Sequence, residues 1–326
     1  MSHGGGGRLM HQLVRDYFVP SFHLQTLNDS AVVDGFRGKI ALTTDSYVIS
    51  PYFFPGGDIG LLSVCGTVND LSMAGARPLY LTTGFILEEG MPMEDLVKIL
   101  ASMKTVADEI GVKIVAGDTK VVEKGKGDGI YINTAGIGIV DEGIDLSPGR
   151  IRPGDKIILS GSIGNHGMAV MAERNGISFE PPILSDVCAL NSLVETMLAT
   201  SREIRVLRDP TRGGVATTLK EFAADSMCGM MVDEESIQVR PGVQGACDLL
   251  GLDPLYVANE GVLLAVVAPH VADELILAMR KTRAGAEAAV IGEVTEQPKQ
   301  MVLLRTRIGG TRIIDMITGE QLPRIC

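Results

Sequence analysis

The chain has 326 residues, of which 45% are hydrophobic and 21% are charged, which is enough for two ordinary domains that each bury a core. Its net charge of -11 and its scattered lysines and arginines argue against nucleic acid as a partner. The longest apolar runs, such as residues 262–268, fall far short of the roughly 20 residues that span a bilayer, so we expect a cytoplasmic protein without membrane contact.

In the first half of the chain, residues 60–75 have the small and apolar spacing of a helix. A second helix begins near Glu94 and stops at Gly111, with apolar residues at every third or fourth position. Strands are predicted over three segments: 39–44, 112–116 (ending at Gly117-Asp118) and 130–140.

The turn-forming sequence at 152–155 is the best candidate for a domain boundary. The elements predicted after it are a strand over 156–160, a glycine loop (Gly161, Gly164, Gly167) that opens a helix through Arg174, a helix near 186–200, a loop-to-helix unit at 209–214, strands near 262–268 and 288–294, and a strand pair around Gly309-Gly310. We therefore expect a lead-in over 1–38, domains over 39–150 and 151–300, and a C-terminal segment over 301–326. Its mobile tail, about fifteen residues from Arg312 to Cys326, would reach on the order of 50 Å.

The cysteines indicate neither a disulfide framework nor a zinc site, because their number, five, is odd and no C-x-x-C or Cys/His cluster occurs. Four of them lie in apolar neighbourhoods, where a small buried side chain is expected: Cys65, Cys188, Cys228 and Cys247. Cys326 differs because it is the last residue.

Four carboxylates lie where strands or turns are expected to end: Asp45, Asp70, Asp118 and Asp209. Each one alone also fits a turn former or a helix cap. Together with glycine loops that precede helices, they favour a site for magnesium and phosphate, because Mg²⁺ prefers hard oxygen ligands and helix N-termini offer amides to phosphate.

The sequence has no Walker motif and no dinucleotide fingerprint, so a nucleotide site of another kind is expected. The glycine run that contains Gly5 and Gly6 is either a disordered leader or a flap whose amides close over the nucleotide. His166, between glycines, is predicted to be a loop residue near phosphate. Lys120 and Glu260 are candidates for charge stabilisation and proton abstraction, with a surface ion pair as the alternative for each.

The order of these motifs resembles the HypE family of hydrogenase maturation factors, in the superfamily of aminoimidazole ribonucleotide synthetase, selenophosphate synthetase and thiamine monophosphate kinase. The resemblance covers nearly the whole chain. Its most specific segments are Thr-Thr-Asp45-Ser-Tyr-Val, Phe-Phe-Pro-Gly-Gly-Asp58-Ile-Gly, Gly66-Thr-Val-Asn-Asp70-Leu, Gly117-Asp-Thr-Lys-Val-Val, Asp209-Pro-Thr-Arg-Gly-Gly and the terminal Pro323-Arg-Ile-Cys326.

The resemblance implies an α/β (α+β) fold, with two aminoimidazole ribonucleotide synthetase-like domains and a flexible C-terminal tail. It implies a homodimer through strands of the first domain and an ATP site in a cleft beside that interface. It also implies two kinds of partner: a carbamoyltransferase, HypF, that loads Cys326, and a HypC–HypD complex whose iron receives the cyanide for [NiFe] hydrogenase.

The implied reaction is an ATP-dependent dehydration of an S-carbamoyl group on Cys326 to a thiocyanate. The carbamoyl oxygen attacks the γ-phosphate, a base removes the nitrogen proton, and phosphate leaves. Magnesium held by the four carboxylates would neutralise the triphosphate, and Lys120 would stabilise the developing charge. Glu260 is favoured as the base, and Lys120 is the alternative for positioning the carbamoyl oxygen.

Two other functions stay open at this stage. One is another phosphoryl-transfer enzyme of the same superfamily, although a selenophosphate synthetase should carry a reactive Cys or Sec near its N-terminus and the first 64 residues here contain no cysteine. A small-metabolite kinase would have no use for the terminal cysteine. The other is a non-enzymatic assembly scaffold, which predicts no ATP turnover and no mass change at Cys326.

Overall fold

The computed structural model describes residues 12–23, 33, 38–316, 322 and 324–326. Within them the chain forms a four-stranded sheet, a seven-stranded sheet and a two-stranded pair, with helices packed on the two larger sheets. The first strands and helices are β1 (Lys39–Tyr47), β2 (Phe53–Phe54), β3 (Gly57–Asp58), β4 (Ala76–Glu88), β5 (Lys113–Val122) and β6 (Ile130–Val140), with α1 (Val19–Phe22, after a π-helical turn at Val14–Phe18), α2 (Ile59–Met73) and α3 (Met93–Ile110).

In the described residues, β1, β6, β4 and β5 lie side by side in that order as one sheet. Helix α2 packs on the face formed by β1 and β6, and α3 packs on α2. Asp58 caps α2, because its Oδ1 accepts hydrogen bonds from the amides of Gly60 (2.7 Å) and Leu61 (3.0 Å). The opposite face of the sheet has no described element packed across it, and it exposes apolar side chains of β1 and β4: Ile40, Leu42 and Ile86.

The second half builds a larger sheet and covers it with helices. Its elements are β7 (Lys156–Leu159), β8 (Ile204–Arg208), β9 (Gly229–Asp233), β10 (Leu264–Val267), β11 (Ala289–Thr295), β12 (Val302–Arg305), β13 (Thr311–Ile314), α4 (Asn165–Arg174), α5 (Asn191–Thr200), α6 (Gly214–Ser226), α7 (Pro241–Leu250) and α8 (Ala272–Met279). Among the described strands the order is β13-β12-β9-β11-β7-β10-β8. Strand β10 is completely buried, as the apolar run at 262–268 predicts.

Asn69 on α2 joins the two halves. Its amide nitrogen donates to the carbonyls of Cys188 (3.1 Å) and Glu260 (3.4 Å), and its side-chain oxygen accepts from the amide of Leu190 (2.8 Å). Three satisfied bonds on one buried side chain fix α2 against the segments that precede α5 and β10. The residue that follows, Asp70, is thereby placed at the junction of the halves.

Several predicted elements differ from the structure. Asp70 lies within α2 and not at the end of a strand or turn. The strand predicted to end at Gly117-Asp118 continues to Val122, because β5 pairs with the long strand β4 along its whole length. Arg312, where the tail was expected to begin, lies in β13 and forms an ion pair with Asp253 (2.6 Å). Across the residues that the structure describes, no helix combines the length and apolar character needed to cross a membrane.

Candidate active site

Asp45 and Asp70 form the centre of an acidic cluster between the halves. Strand alternation points Asp45 toward α2, and Thr43, two residues earlier on the same face, donates to Asp70 Oδ2 (2.7 Å). Burial, then the charge of Asp70 and a hydrogen bond with it, raise the pKa of Asp45 to about 6, against the lowering effects of Arg212 and of the Tyr47 hydroxyl. The raised pKa of Asp45 thus records the repulsion between its carboxylate and that of Asp70 at a half-buried position.

Asp209 joins this cluster from the second half, at the turn between β8 and α6. Burial, followed by the charge of Asp70, raises the pKa of Asp209 to about 7. The Gly213-Gly214 pair that follows makes the turn possible: both have positive φ (77° and 60°), and a Cβ on Gly214 would lie 2.5 Å from the carbonyl oxygen of Leu255. The motif at 209–214 thus sets the position of a buried carboxylate.

Glu260 lies beside the cluster and is 3% exposed. Burial, followed by the charges of Asp209, Asp186 and Asp45, raises the pKa of Glu260 well above its usual value. Its Oε1 has no hydrogen-bond partner among the described residues, and the same is true of Asp186 Oδ1. Two buried, unsatisfied acceptor oxygens indicate that a donor or a cation belongs at this point.

Asp186 fixes the backbone at Glu260 and Gly261. Its Oδ2 accepts hydrogen bonds from the backbone amides of Glu260 and Gly261, each at 3.2 Å. Burial raises the pKa of Asp186 to about 6, against these backbone bonds. Gly261 has to be glycine, because a Cβ there would lie 1.8 Å from the carbonyl oxygen of Asp186.

The end of the chain lies in the same cleft. The carbonyl of Cys326 accepts from the amide of Val48 (3.1 Å), and Ile325 is 3% exposed in the core that includes β1 and α2. Burial, followed by the charge of Glu260, raises the pKa of the Cys326 thiol to about 12, with Arg212 acting in the opposite direction. The charges of Glu260, Arg212 and Asp45 thus all act on the pKa of the terminal thiol.

His166 does not lie in the loop that its glycine neighbours predict. It lies in the first turn of α4, is fully buried, and packs edge-on against Phe54. Its Nε2 is 2.8 Å from the carbonyl oxygen of Ile325, and burial lowers its pKa to about 4. In this structure His166 contacts the end of the chain.

Lys120 and Asp118 pair with each other and not with the acidic cluster. Lys120 Nζ is 2.7 Å from Asp118 Oδ2, and both side chains are about two-thirds exposed (64% and 65%). The reason is strand alternation: Asp118 and Lys120 share the exposed sheet face with Ile86, whereas Asp45 projects from the other face toward α2. Gly5 and Gly6 lie outside the described residues.

Arg212 and Asp186 are site residues that sequence reasoning missed. Arg212 lies in the segment Asp209-Pro-Thr-Arg-Gly-Gly, and it acts on the pKa values of Asp45, Glu260 and Cys326. Its position inside this motif could have identified it as a candidate site residue. Asp186 had none, because nothing in Leu-Ser-Asp-Val-Cys distinguishes it from a surface turn.

A divalent cation fits the acidic cluster in part. Asp45, Asp70 and Asp209 repel one another and supply the hard oxygen atoms that Mg²⁺ prefers. In the described part of the chain, however, no three His, Cys, Asp or Glu side chains converge closely enough to hold a metal ion. The cluster therefore suits an ion that takes its remaining ligands from a phosphate group.

Comparison with known proteins gives matches over the whole length. Models of the N-terminal and C-terminal domains of AIR synthase related proteins match residues 27–140 and 152–304. Carbamoyl dehydratase HypE of Cupriavidus necator is 53% identical over 330 aligned residues, which cover 100% of this chain and 94% of that protein.

Solved structures agree. Hydrogenase maturation protein HypE in complex with ATP superimposes with a TM-score of 0.96 at 47% identity, covering 100% of this chain and 99% of the other. A chain of a HypE–HypF complex superimposes with a TM-score of 0.83 at 47% identity, covering 95% and 100%. This chain belongs to the HypE family of AIR synthase related proteins.

Proposed function

We propose that this protein is an ATP-dependent carbamoyl dehydratase that converts an S-carbamoyl group on its own Cys326 into a thiocyanate, which supplies cyanide for the iron of [NiFe] hydrogenase. The observation that carries the proposal is the docking of the chain end in the cleft, where Cys326 O accepts from the amide of Val48 (3.1 Å) and where burial and then the charges of Glu260, Arg212 and Asp45 act on the pKa of the thiol. A small-metabolite kinase has no need of that arrangement. The relatives named carbamoyl dehydratase at 53% identity support the same activity.

The chemistry assigns a task to each group. The carbamoyl oxygen attacks the γ-phosphorus of ATP, ADP leaves, and one nitrogen proton is lost, which gives an O-phosphorylated imidate. A base then takes the second nitrogen proton while the C–O bond to phosphate breaks and the C≡N bond forms. Glu260 suits the base, because its buried carboxylate has a high proton affinity and one oxygen atom without a partner.

Arg212 and the carboxylates set the charge of the cleft. Arg212 is the cation that acts on both Glu260 and Cys326, so it opposes the negative charge that builds up on the carbamoyl oxygen and the phosphate. We assign magnesium to Asp45, Asp70 and Asp209, where it would neutralise the triphosphate when bound. Binding of the ion would favour the ionised form of Asp45 and so lower its raised pKa.

The acidic cluster makes stability depend on pH in a defined direction. The pKa values of Asp45 and Asp209 are raised in the folded protein to about 6 and about 7, so their contribution is complete below pH 4 and is lost as pH rises through 6 to 7. We expect the melting temperature without divalent cations to fall by about 5 °C between pH 5 and pH 8 on this account. Mg²⁺ should restore part of it at pH 8 and none at pH 5.

The matched variants are Asp209→Asn and Asp118→Asn, measured by differential scanning fluorimetry. Asp209→Asn should reduce both the pH dependence and the Mg²⁺ effect, because the amide neither titrates nor carries the negative charge that binds the ion. Asp118→Asn should behave as wild type, since this side chain pairs with Lys120 at the surface. An Mg²⁺ effect lost in Asp118→Asn and kept in Asp209→Asn would transfer the metal site to Asp118.

The exposed sheet face fits a second copy of the chain. It presents Ile40, Leu42 and Ile86 to solvent, and Leu42 is 72% exposed. Like faces that pack on each other make a closed, two-fold interface. Asp118 and Lys120 lie on this face, so we place any catalytic contribution of Lys120 in the assembled homodimer.

Leu42→Glu is expected to convert a dimer into a monomer, because the substitution buries a charge in each half of an apolar interface. Light scattering after size-exclusion chromatography measures the mass. Leu249→Glu is the control: Leu249 is 66% exposed on α7, away from this face, and its change should leave the mass unaltered. A wild-type protein that is already monomeric at micromolar concentration would contradict the homodimer.

Two further partners follow from the proposed reaction. A carbamoyltransferase of the HypF type must load Cys326, and a HypE–HypF complex is known for a relative at 47% identity. The docked thiol, with a pKa of about 12, is a poor nucleophile, so we place loading in a state with the tail outside the cleft. A HypC–HypD complex in the cytoplasm would then accept the cyanide.

Intact mass spectrometry tests the function directly. After incubation with the carbamoyltransferase, carbamoyl phosphate and ATP, we expect a gain of about 43 Da and then a loss of about 18 Da as water leaves. With a non-hydrolysable ATP analogue in the second step, the first mass should persist. Loading without any ATP-dependent loss of water would contradict the dehydratase.

A further inference from the structure

The last three residues of the chain have every carbonyl group matched by a donor from the cleft. Arg324 O accepts from the amide of Ser50 (3.4 Å) and from Arg174 (2.7 Å). Ile325 O lies 2.8 Å from His166 Nε2, and Cys326 O accepts from the amide of Val48 (3.1 Å). The chain end therefore runs antiparallel to residues 48–50 and is held on its other side by α4.

The hydrogen bonds around His166 fix which ring nitrogen carries the proton. The amide of Val187 donates to Ser185 Oγ (3.1 Å), whose hydroxyl is 2.8 Å from His166 Nδ1. Because Ile325 O only accepts, Nε2 carries the proton, and Nδ1 accepts from Ser185. A neutral, oriented imidazole thus donates to the chain end.

Arg174, at the other end of α4, donates to both segments of this contact, residues 48–50 and 324–326. Its Nε donates to Ser50 O (2.7 Å) and its terminal nitrogen donates to Arg324 O. The side chain of Arg324 is held separately, by a hydrogen bond to Val48 O (3.1 Å) and an ion pair with Asp128. Toward the chain end, His166 and Arg174 therefore donate to backbone carbonyls, while Asp128 pairs with the side chain of Arg324.

We infer that His166 and Arg174 are positioning residues that hold the C-terminal tripeptide in the cleft, so that the group on Cys326 meets Glu260. The inference deepens the proposed function and rests on it for the chemistry, but not for the docking. Neither residue contacts the thiol. Both bind the backbone carbonyls of Ile325 and Arg324. Their hydrogen bonds are therefore the same whether the sulfur of Cys326 is free, carbamoylated or part of a thiocyanate.

The docking is measured without any carbamoyl chemistry, by the alkylation rate of Cys326 with iodoacetamide in the full chain, followed by peptide mapping. His166→Phe keeps the aromatic contact with Phe54 but removes the donor to Ile325 O, and we expect Cys326 to react roughly tenfold faster. His166→Gln, whose amide reaches the Nε2 position, should restore the slow rate.

Controls separate loss of docking from loss of folding. Cys65 is fully buried in the core and must stay unreactive in each variant. Arg174→Ala, at a half-buried position, gives an independent second variant with the same expected rise, and Glu173→Ala, exposed on the same helix, should leave the rate unchanged. An unaltered Cys326 rate in both His166→Phe and Arg174→Ala, with Cys65 protected, would overturn the inference.

A kinetic comparison extends the test to the reaction. In carbamoylated protein, His166→Phe should slow the ATP-dependent loss of water by about the same factor by which it raises the alkylation rate. His166→Gln should return both rates to their wild-type values. Faster alkylation with unchanged dehydration would show that docking does not position the group, which also overturns the inference. Absence of dehydration in the wild type would instead refute the proposed function and leave the docking result intact.

Discussion

Cys326→Ser is expected to abolish carbamoylation of the chain, with no gain of about 43 Da after complete incubation with the loading enzyme. The reason is that a hydroxyl is a far weaker nucleophile than a thiolate and that no other described cysteine is placed to substitute. Cys65, Cys228 and Cys247 are buried, and Cys188 is held inside the fold, where its Sγ donates to Gly261 O (3.7 Å). The loss should exceed about a thousandfold.

Cys228→Ser is the matched control. Cys228 is buried before β9, and its Sγ contacts Ser226 O (3.6 Å), a partner that a serine hydroxyl can keep. This variant should be loaded at the wild-type rate. Loading of the Cys326→Ser protein, located by peptide mapping at another cysteine, would show that the carrier of the carbamoyl group lies elsewhere.

Glu260→Gln is expected to leave loading intact and to slow the loss of water by about 10²- to 10⁴-fold, the usual contribution of a positioned general base. Glutamine has nearly the same shape but does not take up the nitrogen proton. The variant should be at least as stable as wild type, because the substitution removes a carboxyl group that burial and three neighbouring carboxylates disfavour. Intact mass should show the carbamoylated species accumulating in the presence of ATP.

A second glutamate variant controls for the change of charge. Glu287 pairs with Arg240 (3.3 Å) on the surface, so Glu287→Gln should dehydrate its carbamoyl group normally. Dehydration at a wild-type rate in Glu260→Gln would assign proton removal to another group. Lys120 of a second copy would then be the first candidate, and Lys120→Met would test it.

Local patterns were sufficient for much of the fold. Helix α3 follows from its apolar spacing, its acidic first turn and the left-handed stop at Gly111, all of which depend on neighbours in sequence. Strand β4 was not predicted. Its 13 residues begin with Ala-Arg-Pro, and their apolar residues follow neither a clear helical nor a clear strand period. They form a central strand because β5 and β6 pair with them on either side.

The residues of the candidate site also divide into those that local patterns identify and those that depend on distant contacts. Asp45, Asp209 and Glu260 were identified from turns and motifs, and the structure brings them together. The sequence predicted that the strand before Lys120 ends at Gly117-Asp118. Strand β5 instead continues to Val122, and the alternation of side chains along it directs Lys120 to the exposed face of the sheet. The docking of the chain end rests on the contacts of Cys326 with Val48 and of Ile325 with His166. These pairs are 278 and 159 positions apart in sequence, and no local pattern encodes them.

The docked chain end also protects the cysteine chemically. A thiol whose pKa burial raises to about 12 is ionised far less at pH 7 than an ordinary cysteine. Oxidation to a sulfenic acid and exchange with disulfides both proceed through the thiolate. We therefore expect the cleft in which the loaded cysteine reacts to slow oxidation and disulfide exchange of the unloaded one as well.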